Sequence, residues 1–164
     1  MKVVIIGGVA SGMSAAARLR RLDETAEITV YEMSEHVSYA NCGLPYFVSD
    51  VISRRDNLLL QTPAALWDRF RIKANVSHMV TAINREDKTV TVQNLNTGAT
   101  TTDSYDKLVI ATGARPRKLD VPGIERAMWL RNVTDADEVK AALQNIENKS
   151  VAILGAGFIG IELA

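Results

Sequence analysis

Residues 2–12, KVVIIGGVASG, decide the fold that we predict for this chain. Lys2 to Ile6 has the apolar character of a buried strand and leads directly into a cluster of glycines. Met13 to Leu22 then places small and apolar side chains where a helix would pack on a sheet, and Ile28 to Glu32 predicts a second strand. A strand, a tight turn, a helix and a parallel strand are the opening of a doubly wound α/β sheet.

The glycine cluster predicts a dinucleotide site. A G-x-G-x-x-G motif between a strand and a helix places a pyrophosphate on backbone amides at the start of the helix. In the motif of this chain, which runs from Gly7 to Gly12, Val9 replaces the middle glycine. Glu32 lies 20 residues after Gly12 at the end of the second predicted strand, where a carboxylate can accept hydrogen bonds from ribose hydroxyls. The alternative for Glu32 is a solvated charge at a strand end.

A second and more regular motif lies near the other end of the chain. Ser150 to Leu154 predicts another apolar strand, and Gly155-Ala156-Gly157-Phe158-Ile159-Gly160 follows it. We predict a second dinucleotide site here, formed by Gly155, Gly157, Ile159 and Gly160. The side chain that selects NADH or NADPH is expected beyond Ala164.

The residues between the two motifs predict further strands and helices. Three β-rich runs separated by turn residues predict a short antiparallel meander at about residues 78–106, and Leu108 to Ala111 predicts a further buried strand. Thr62-Pro63 is typical of a helix start. Thr134 is predicted to cap a helix that runs from about Asp135 to Ile146.

Composition excludes several classes of protein. The 164 residues are 47% hydrophobic and 23% charged with a formal net charge of zero, which is typical of a globular protein and gives no indication of a nucleic-acid partner. The N-terminal apolar run is too short for a signal peptide, and no stretch reaches the ~20 apolar residues of a membrane span. A single cysteine without an export signal indicates a reducing compartment, so we expect a cytoplasmic protein without a membrane partner, and we predict no metal site.

The cysteine, Cys42, lies in the stretch SYANCGLPY, residues 38–46. Asn41 is predicted to cap a helix whose positive end would favour the nucleophilic thiolate. Neither the C-x-x-C nor the C-x4-C spacing holds a second cysteine. Cys42 would therefore cycle alone, through a mixed disulfide, a sulfenic acid or a persulfide. The alternative is a small buried side chain without chemistry.

Two dinucleotide motifs in series, with a meander and an Ala111-Thr112-Gly113 strand end between them, resemble the two-dinucleotide-binding-domain flavoproteins. The resemblance covers essentially the whole chain and implies that FAD binds the first fold and NADH or NADPH the second. It implies an FAD-binding part at 1–115, the first portion of a discontinuous domain, a connector and helix at 116–149, and the start of the NAD(P)H-binding domain at 150–164. The residues that it implies for FAD are Gly7, Val9, Ala10, Gly12, Glu32, Val80, Ala111, Thr112, Gly113 and Arg131.

The stretch around Cys42 is similar to the active-site segment of the coenzyme A-disulfide reductases. This resemblance implies that Cys42 is catalytic and that the substrate is coenzyme A disulfide or a coenzyme A persulfide or polysulfide. It also implies a homodimer for the full-length protein. The residues that it places along the coenzyme A path are Ser14, Arg18, Arg21, Ser38 and Asn41.

Alternatives to this function remain open in the sequence. Arg18, Arg20 and Arg21 give the first helix a basic stripe, which suits phosphates but is also typical of a solvated face. Phe70 departs from the reductase pattern at a position where a basic residue could bind phosphate. NADH oxidases, NADH peroxidases and persulfide reductases also keep a single cysteine, and in an oxidase or peroxidase Cys42 would cycle through sulfenic acid. A third reading is a flavin-binding piece that is inactive by itself, and we expect the 164 residues alone not to be competent.

Overall fold

The computed structural model describes residues 1–117, 119–147 and 150–164. Its strands are β1 (Lys2–Ile6), β2 (Glu27–Tyr31), β3 (Ile72–Asn75), β4 (His78–Asn84), β5 (Thr89–Asn94), β6 (Thr100–Ser104) and β7 (Lys107–Ile110). Its α-helices are α1 (Ala10–Leu22), α2 (Leu44–Val48), α3 (Pro63–Phe70), α4 (Val133–Gln144) and α5 (Phe158–Leu163). Short 3-10 turns cover Asn41–Gly43, Arg55–Leu58 and Ile124–Arg126.

The chain forms two compact units. The first unit contains Met1–Tyr39 and Gln61–Gly113, and the second contains Ala40–Leu60 and Ala114–Ala164. The sequence predicted boundaries between cofactor-binding domains at residues 115 and 149. The two compact units reflect packing within the chain and not cofactor binding, so these boundaries stay a prediction. Within the predicted connector and helix, Lys118, Asn148 and Lys149 lie outside the described residues.

The first unit confirms the predicted α/β class. Its four-stranded sheet has the order β3-β2-β1-β7, and every pairing is parallel. The strands β4, β5 and β6 form the predicted antiparallel meander. β3 was not predicted, because Ile72–Asn75 is short and carries two polar residues in four.

Alternation along β1 explains why both faces of the sheet are covered. Val3 and Ile5 join a core with Met13 and Ala16 of α1, whereas Val4 and Ile6 pack against Val90 and Val92 of the meander. Successive strand residues point to opposite faces, so a strand that is apolar at every position can be buried on both sides. This sandwich fixes the C-terminal end of β1, where the first glycine motif begins.

The second unit corrects one predicted strand. Ser150 to Leu154 is irregular, and the side chains of Val151 and Leu154 are exposed. A strand requires a neighbour for its backbone N–H and C=O groups, and the described residues place none beside this stretch. The glycine motif that follows nevertheless opens a helix, α5, as predicted.

The same unit corrects the start of α4. Asn132, and not Thr134, is the N-cap: its side chain accepts a hydrogen bond from the Asp135 N–H at 2.9 Å. Asp135 in turn accepts from the Asn132 N–H at 3.1 Å, which completes a capping box. The helix therefore begins at Val133, two residues earlier than predicted.

Candidate functional site

The first glycine motif forms a loop in which two glycines are required by close backbone contacts. Gly7 has φ +102°, and a Cβ at this position would lie 2.2 Å from the carbonyl oxygen of Ala111. A Cβ at Gly12 would lie 1.8 Å from the carbonyl oxygen of Gly7. Real atoms cannot approach so closely, so the loop, the first turn of α1 and the end of β7 meet only because these residues are glycines. Such a cradle leaves backbone amides open to a pyrophosphate.

Gly8 is held from both sides by the segment that follows β2. Its N–H donates to Oε2 of Glu32 at 2.7 Å, and its carbonyl oxygen accepts from the Ser38 N–H at 2.8 Å. The other carboxylate oxygen of Glu32, Oε1, accepts from the Ser34 N–H at 2.8 Å. Glu32 is buried, but each of its oxygens keeps a lone pair that can accept a further donor. The carboxylate is therefore placed against the glycine loop and can still bind a hydroxyl.

Val9 explains why the motif tolerates the loss of its middle glycine. Val9 is the N-cap of α1 with φ −106°, an angle that any residue can adopt, and Ala10 begins the helix. The equivalent residue of the second motif, Gly157, is the N-cap of α5 with φ −76°, and a Cβ there would meet nothing within 4 Å. Neither the backbone angle nor a contact with the described residues therefore requires glycine at the middle position of either loop.

The remaining residues predicted for FAD lie in both units. In the first unit, Thr112 and Gly113 are exposed beyond the end of β7, and Val80 of β4 is half-buried against the core of the meander. In the second unit, Nε of Arg131 donates to the carbonyl oxygen of Ala114 at 2.8 Å. That bond anchors the guanidinium group beside the residue that follows the Ala-Thr-Gly stretch.

The second glycine motif repeats the geometry of the first. Gly155 has φ +112°, close to the +102° of Gly7, and a Cβ at Gly160 would lie 2.1 Å from the Gly155 carbonyl oxygen. Ile159 is exposed in the first turn of α5. The same contact between the first and last glycine shows that the two motifs form the same type of tight turn at the start of a helix.

Cys42 is an exposed free thiol in the 3-10 turn that precedes α2. The predicted cap at Asn41 is wrong: the Asn41 side chain makes no capping hydrogen bond, and Gly43 is the N-cap of α2. The cause is Pro45 at the second position of α2, which sets the helix start later than Asn41 predicts. Among the described residues, Oδ1 of Asn41 is buried without a hydrogen-bond partner. Such a group is costly unless something binds it, so Asn41 can accept a ligand donor.

Lys140 of α4 anchors the helix that follows Cys42. Its ammonium donates to the Phe47 carbonyl oxygen at 2.9 Å, lies 4.1 Å from the centre of the Phe47 ring and forms a salt bridge with Asp50. One turn earlier on α4, Asp137 accepts from Nε of Arg55 at 2.8 Å. Side-chain contacts therefore hold the residues that follow the exposed thiol, at Phe47, Asp50 and Arg55.

The arginines of α1 have different environments. Arg20 donates to the carbonyl oxygens of five residues, namely Phe70, Asp23, Glu24, Ala26 and Arg71. Ser14, Arg18 and Arg21 are exposed, and the described part of the chain offers them no hydrogen bond or ion pair. Their spacing of four and three residues puts them on one side of the helix. Arg20 is thus a structural residue, whereas the stripe of Ser14, Arg18 and Arg21 is free for a ligand.

We expect Arg20→Met to lower the free energy of unfolding by about 3 kcal/mol, because a charged donor that satisfies several backbone carbonyls is lost. Arg18→Met and Arg21→Met are matched controls on the same helix and should change stability by no more than about 0.5 kcal/mol. Urea unfolding followed by circular dichroism measures the difference. Equal effects at all three positions would contradict the assignment of Arg20 as the structural residue.

The described residues contain no cluster of three or more His, Cys, Asp or Glu side chains placed to hold a metal ion. Within the same residues, every helix is too short or too polar to cross a membrane.

Comparison with known proteins identifies the family. The pyridine nucleotide-disulphide oxidoreductase family matches residues 1–164. The chain belongs to this family. The coenzyme A disulfide reductase of Staphylococcus haemolyticus is 36% identical over 162 residues, which are 99% of this chain and 37% of that protein.

Solved structures of the family contain the same fold. Bacillus anthracis CoADR-RHD in its reduced form superimposes with a TM-score of 0.93 at 45% identity, covering 99% of this chain and 30% of that chain. The NAD-dependent persulfide reductase of A. fulgidus gives 0.90 at 36% identity, with 99% and 31% covered. The water-forming NADH oxidase of Lactobacillus brevis gives 0.91 at 32% identity, with 99% and 36% covered. The chain spans between 30% and 37% of the length of these relatives.

Three residues of this family member were not predicted from the sequence. Gly8 is the residue that links Glu32 to the glycine loop, and the only signal for it was its place inside the motif. Lys140 contacts Phe47, which lies 93 residues earlier in the chain, and no local pattern could indicate a contact over that separation. Tyr46, four residues after the thiol, donates to Glu162 of α5.

Proposed function

We propose that this chain is the flavin-binding and thiol-bearing part of an FAD-dependent NAD(P)H:disulfide oxidoreductase that reduces coenzyme A disulfide or a coenzyme A persulfide or polysulfide at Cys42. The observation that carries the proposal is the exposed position of Cys42, the single cysteine of the chain, in a stretch that resembles the active-site segment of coenzyme A-disulfide reductases. A structural cysteine would be buried, whereas a thiol that attacks a substrate requires access.

The glycine cradle of the first unit fits FAD. Gly7 and Gly12 let the loop, the first turn of α1 and the end of β7 come close together, which leaves the free N–H groups at the start of α1 for a pyrophosphate. Glu32 keeps acceptor capacity for ribose hydroxyls. Ala111, Thr112 and Gly113 would add backbone contacts, and in the second unit Arg131 would contribute as well. When bound, the flavin carries electron pairs from NAD(P)H to sulfur. NADH or NADPH would bind the loop from Gly155 to Gly160.

Cys42 performs the substrate chemistry in this proposal. Its thiolate attacks one sulfur of the substrate disulfide, the S–S bond of the substrate breaks, and the leaving thiolate takes up a proton and departs as a thiol. The other half of the substrate remains on Cys42 as a mixed disulfide, or as a persulfide when a persulfide sulfur is transferred. Two electrons from NAD(P)H, delivered through the flavin when it is bound, then break the sulfur–sulfur bond at Cys42, which restores the thiolate, and the released sulfur group takes up a proton and leaves as the second product.

Polar groups in both units are candidates for coenzyme A. In the first unit, Ser14, Arg18 and Arg21 line one side of α1 without a protein partner in the described chain, and guanidinium groups suit phosphate oxygens. The same unit contributes Ser38. In the second unit, Asn41 has a buried acceptor without a partner among the described residues.

A second candidate function is supported by the likeness to the NADH oxidase at 32% identity. In such an enzyme Cys42 would cycle through sulfenic acid, with oxygen or peroxide as the oxidant. Asn41 and the Leu44-Pro45-Tyr46 stretch favour the coenzyme A branch. We further propose a cytoplasmic location and a homodimeric full-length protein, and we infer that the 164 residues alone are not a competent enzyme, because they span 37% of the reductase relative.

The oxidant decides between these functions. We expect the intact protein, supplied with NADH or NADPH under argon, to consume the nucleotide when coenzyme A disulfide or coenzyme A persulfide is added. We expect little consumption when air or hydrogen peroxide is added instead. Rapid consumption with oxygen or peroxide and none with either coenzyme A species would replace the proposal with the oxidase or peroxidase function.

Arg18→Ala and Arg21→Ala should each raise the KM for coenzyme A disulfide about tenfold and leave kcat within about twofold, because each removes a phosphate partner that acts before the chemical step. Arg85→Ala, at an exposed arginine of the turn between β4 and β5, is the matched control and should leave both constants unchanged. Steady-state kinetics with varied coenzyme A disulfide measures the effect. An unchanged KM in both α1 variants would show that the stripe is only a solvated face.

A further inference from the structure

A hydrogen bond joins the cysteine segment to the helix of the second glycine motif. The hydroxyl of Tyr46 donates to Oε1 of Glu162 at 3.0 Å, and both residues belong to the second unit. Tyr46 follows Cys42 by four residues, and Glu162 follows Gly160 by two. The bond therefore connects the immediate neighbourhood of the thiol with the helix that begins at the nucleotide loop.

Charge supports the same connection. The hydrogen bond to the Glu162 carboxylate and the charge of that carboxylate raise the pKa of Tyr46 above its ordinary value. Tyr46 is therefore a protonated donor to Glu162 at neutral pH. Tyr46 is 38% exposed and Glu162 is also exposed, so burial of the two side chains does not account for their pairing.

Tyr46 forms the side-chain hydrogen bond between α2 and α5. It lies in the middle of α2, four residues after Cys42 and directly before Phe47, whose carbonyl oxygen accepts from Lys140 of α4. Lys140 also forms a salt bridge with Asp50, beyond the end of α2. Of these contacts, the hydrogen bond between Tyr46 and Glu162 is the nearest in sequence to the thiol, so its loss removes a restraint close to Cys42.

We propose that Tyr46 and Glu162 are positioning residues that couple nucleotide occupancy of the loop from Gly155 to Gly160 to the reactivity of Cys42. The inference rests on the proposed function, which places NAD(P)H at this loop. A nucleotide on the loop fixes the start of α5 and with it Glu162. Glu162 then holds Tyr46, and the Cys42 thiol is restricted to fewer orientations.

The experiment uses the intact protein after treatment with a thiol reductant and its removal. NAD⁺ is the probe, because it occupies a nicotinamide site without delivering electrons. Iodoacetamide labels the thiol, and mass spectrometry of the peptide that contains Cys42 gives the labelling rate. Equilibrium binding of NAD⁺ and of NADP⁺ is measured on the same samples. The variants are Tyr46→Phe, Glu162→Ala, Glu162→Gln and the Tyr46→Phe, Glu162→Ala double variant.

We expect saturating NAD⁺ to slow the labelling of Cys42 about fivefold in the wild type, which is at the lower end of couplings between distinct sites. Tyr46→Phe and Glu162→Ala should each reduce this response below about twofold, and the double variant should lose no more than the single variants. Glu162→Gln keeps an acceptor oxygen and should restore most of the response. Tyr105→Phe removes a hydroxyl in the meander and is the control that keeps the full response.

Two other results would overturn the inference in distinguishable ways. If NAD⁺ binds but Tyr46→Phe responds like the wild type, or if the wild type does not respond, the coupling is absent and the proposed function stands. If the wild type binds neither NAD⁺ nor NADP⁺, the proposed function fails at the nucleotide loop and the coupling fails with it.

Discussion

Cys42→Ser should lower the rate of NAD(P)H-dependent reduction of coenzyme A disulfide by at least about a thousandfold, because serine cannot supply the thiolate that attacks the substrate sulfur. The chain holds no second cysteine that could take over the role. The loss should appear in kcat and should not be rescued by more substrate. Flavin content should stay at the wild-type level, because the residues of the glycine cradle lie outside the cysteine segment.

The control for this prediction is Ser53→Ala. Ser53 is an exposed residue eleven positions after Cys42 and should tolerate the change with full activity and full flavin content. Steady-state turnover and the absorbance of bound flavin are the two measurements. If Cys42→Ser keeps more than about a tenth of the wild-type rate, the thiol is not the nucleophile.

Gly12→Ala should lower the free energy of unfolding by about 3 kcal/mol or more and abolish flavin binding. The added Cβ would lie 1.8 Å from the Gly7 carbonyl oxygen and 3.2 Å from Cγ2 of Ile5, so α1 and the loop would have to separate. Movement of the loop also removes the amides that would hold the pyrophosphate. Urea unfolding and the ratio of flavin to protein measure the two effects.

Gly157→Ala is the matched control for Gly12→Ala. Its backbone angle is open to alanine, and the added Cβ would meet nothing within 4 Å among the described residues. We expect unchanged stability to within about 0.5 kcal/mol and normal flavin content. A Gly12→Ala protein as stable and as rich in flavin as this control would contradict the close approach of α1 to the loop.

The parts of the fold that could be predicted from the sequence are those with strong local patterns. β1, α1 and β2 follow from a continuous apolar run, small helical residues and a second apolar run around one glycine motif. The helix start predicted at Thr62-Pro63 was correct, and Oγ1 of Thr62 caps α3 by accepting from the Ala65 N–H at 3.2 Å. In each of these cases the deciding interactions lie within a few residues of the signal.

The errors arise where a local signal competes with another interaction. Asparagine is a preferred N-cap residue, which led to the prediction at Asn41, but Pro45 fixes the start of α2 farther along the chain. Thr134 is also a good capping residue, but Asn132 forms a reciprocal pair with Asp135 and starts the helix first. The stretch from Ser150 to Leu154 has the composition of a strand, yet a strand exists only when another strand pairs with it.

The sequence indicated candidate residues for the site, but it did not indicate which of these residues contact each other. Glu32 was predicted from its position 20 residues after Gly12 in the sequence, and the structure adds that its carboxylate accepts from the Gly8 N–H. Arg20 resembles Arg18 and Arg21 in sequence, but only the fold shows that its donors are used by backbone carbonyls. Contacts between residues far apart in the chain are set by tertiary packing, which a single sequence does not encode locally.

The most direct test of the central claim is an anaerobic titration of the intact protein with NADH, and then with coenzyme A disulfide, while the flavin spectrum is recorded. The proposed function predicts a long-wavelength charge-transfer band from the Cys42 thiolate to the flavin on reduction, and stoichiometric reoxidation by coenzyme A disulfide. A reduced protein without that band, which only oxygen or peroxide can reoxidise, would contradict the assignment of Cys42 to disulfide reduction.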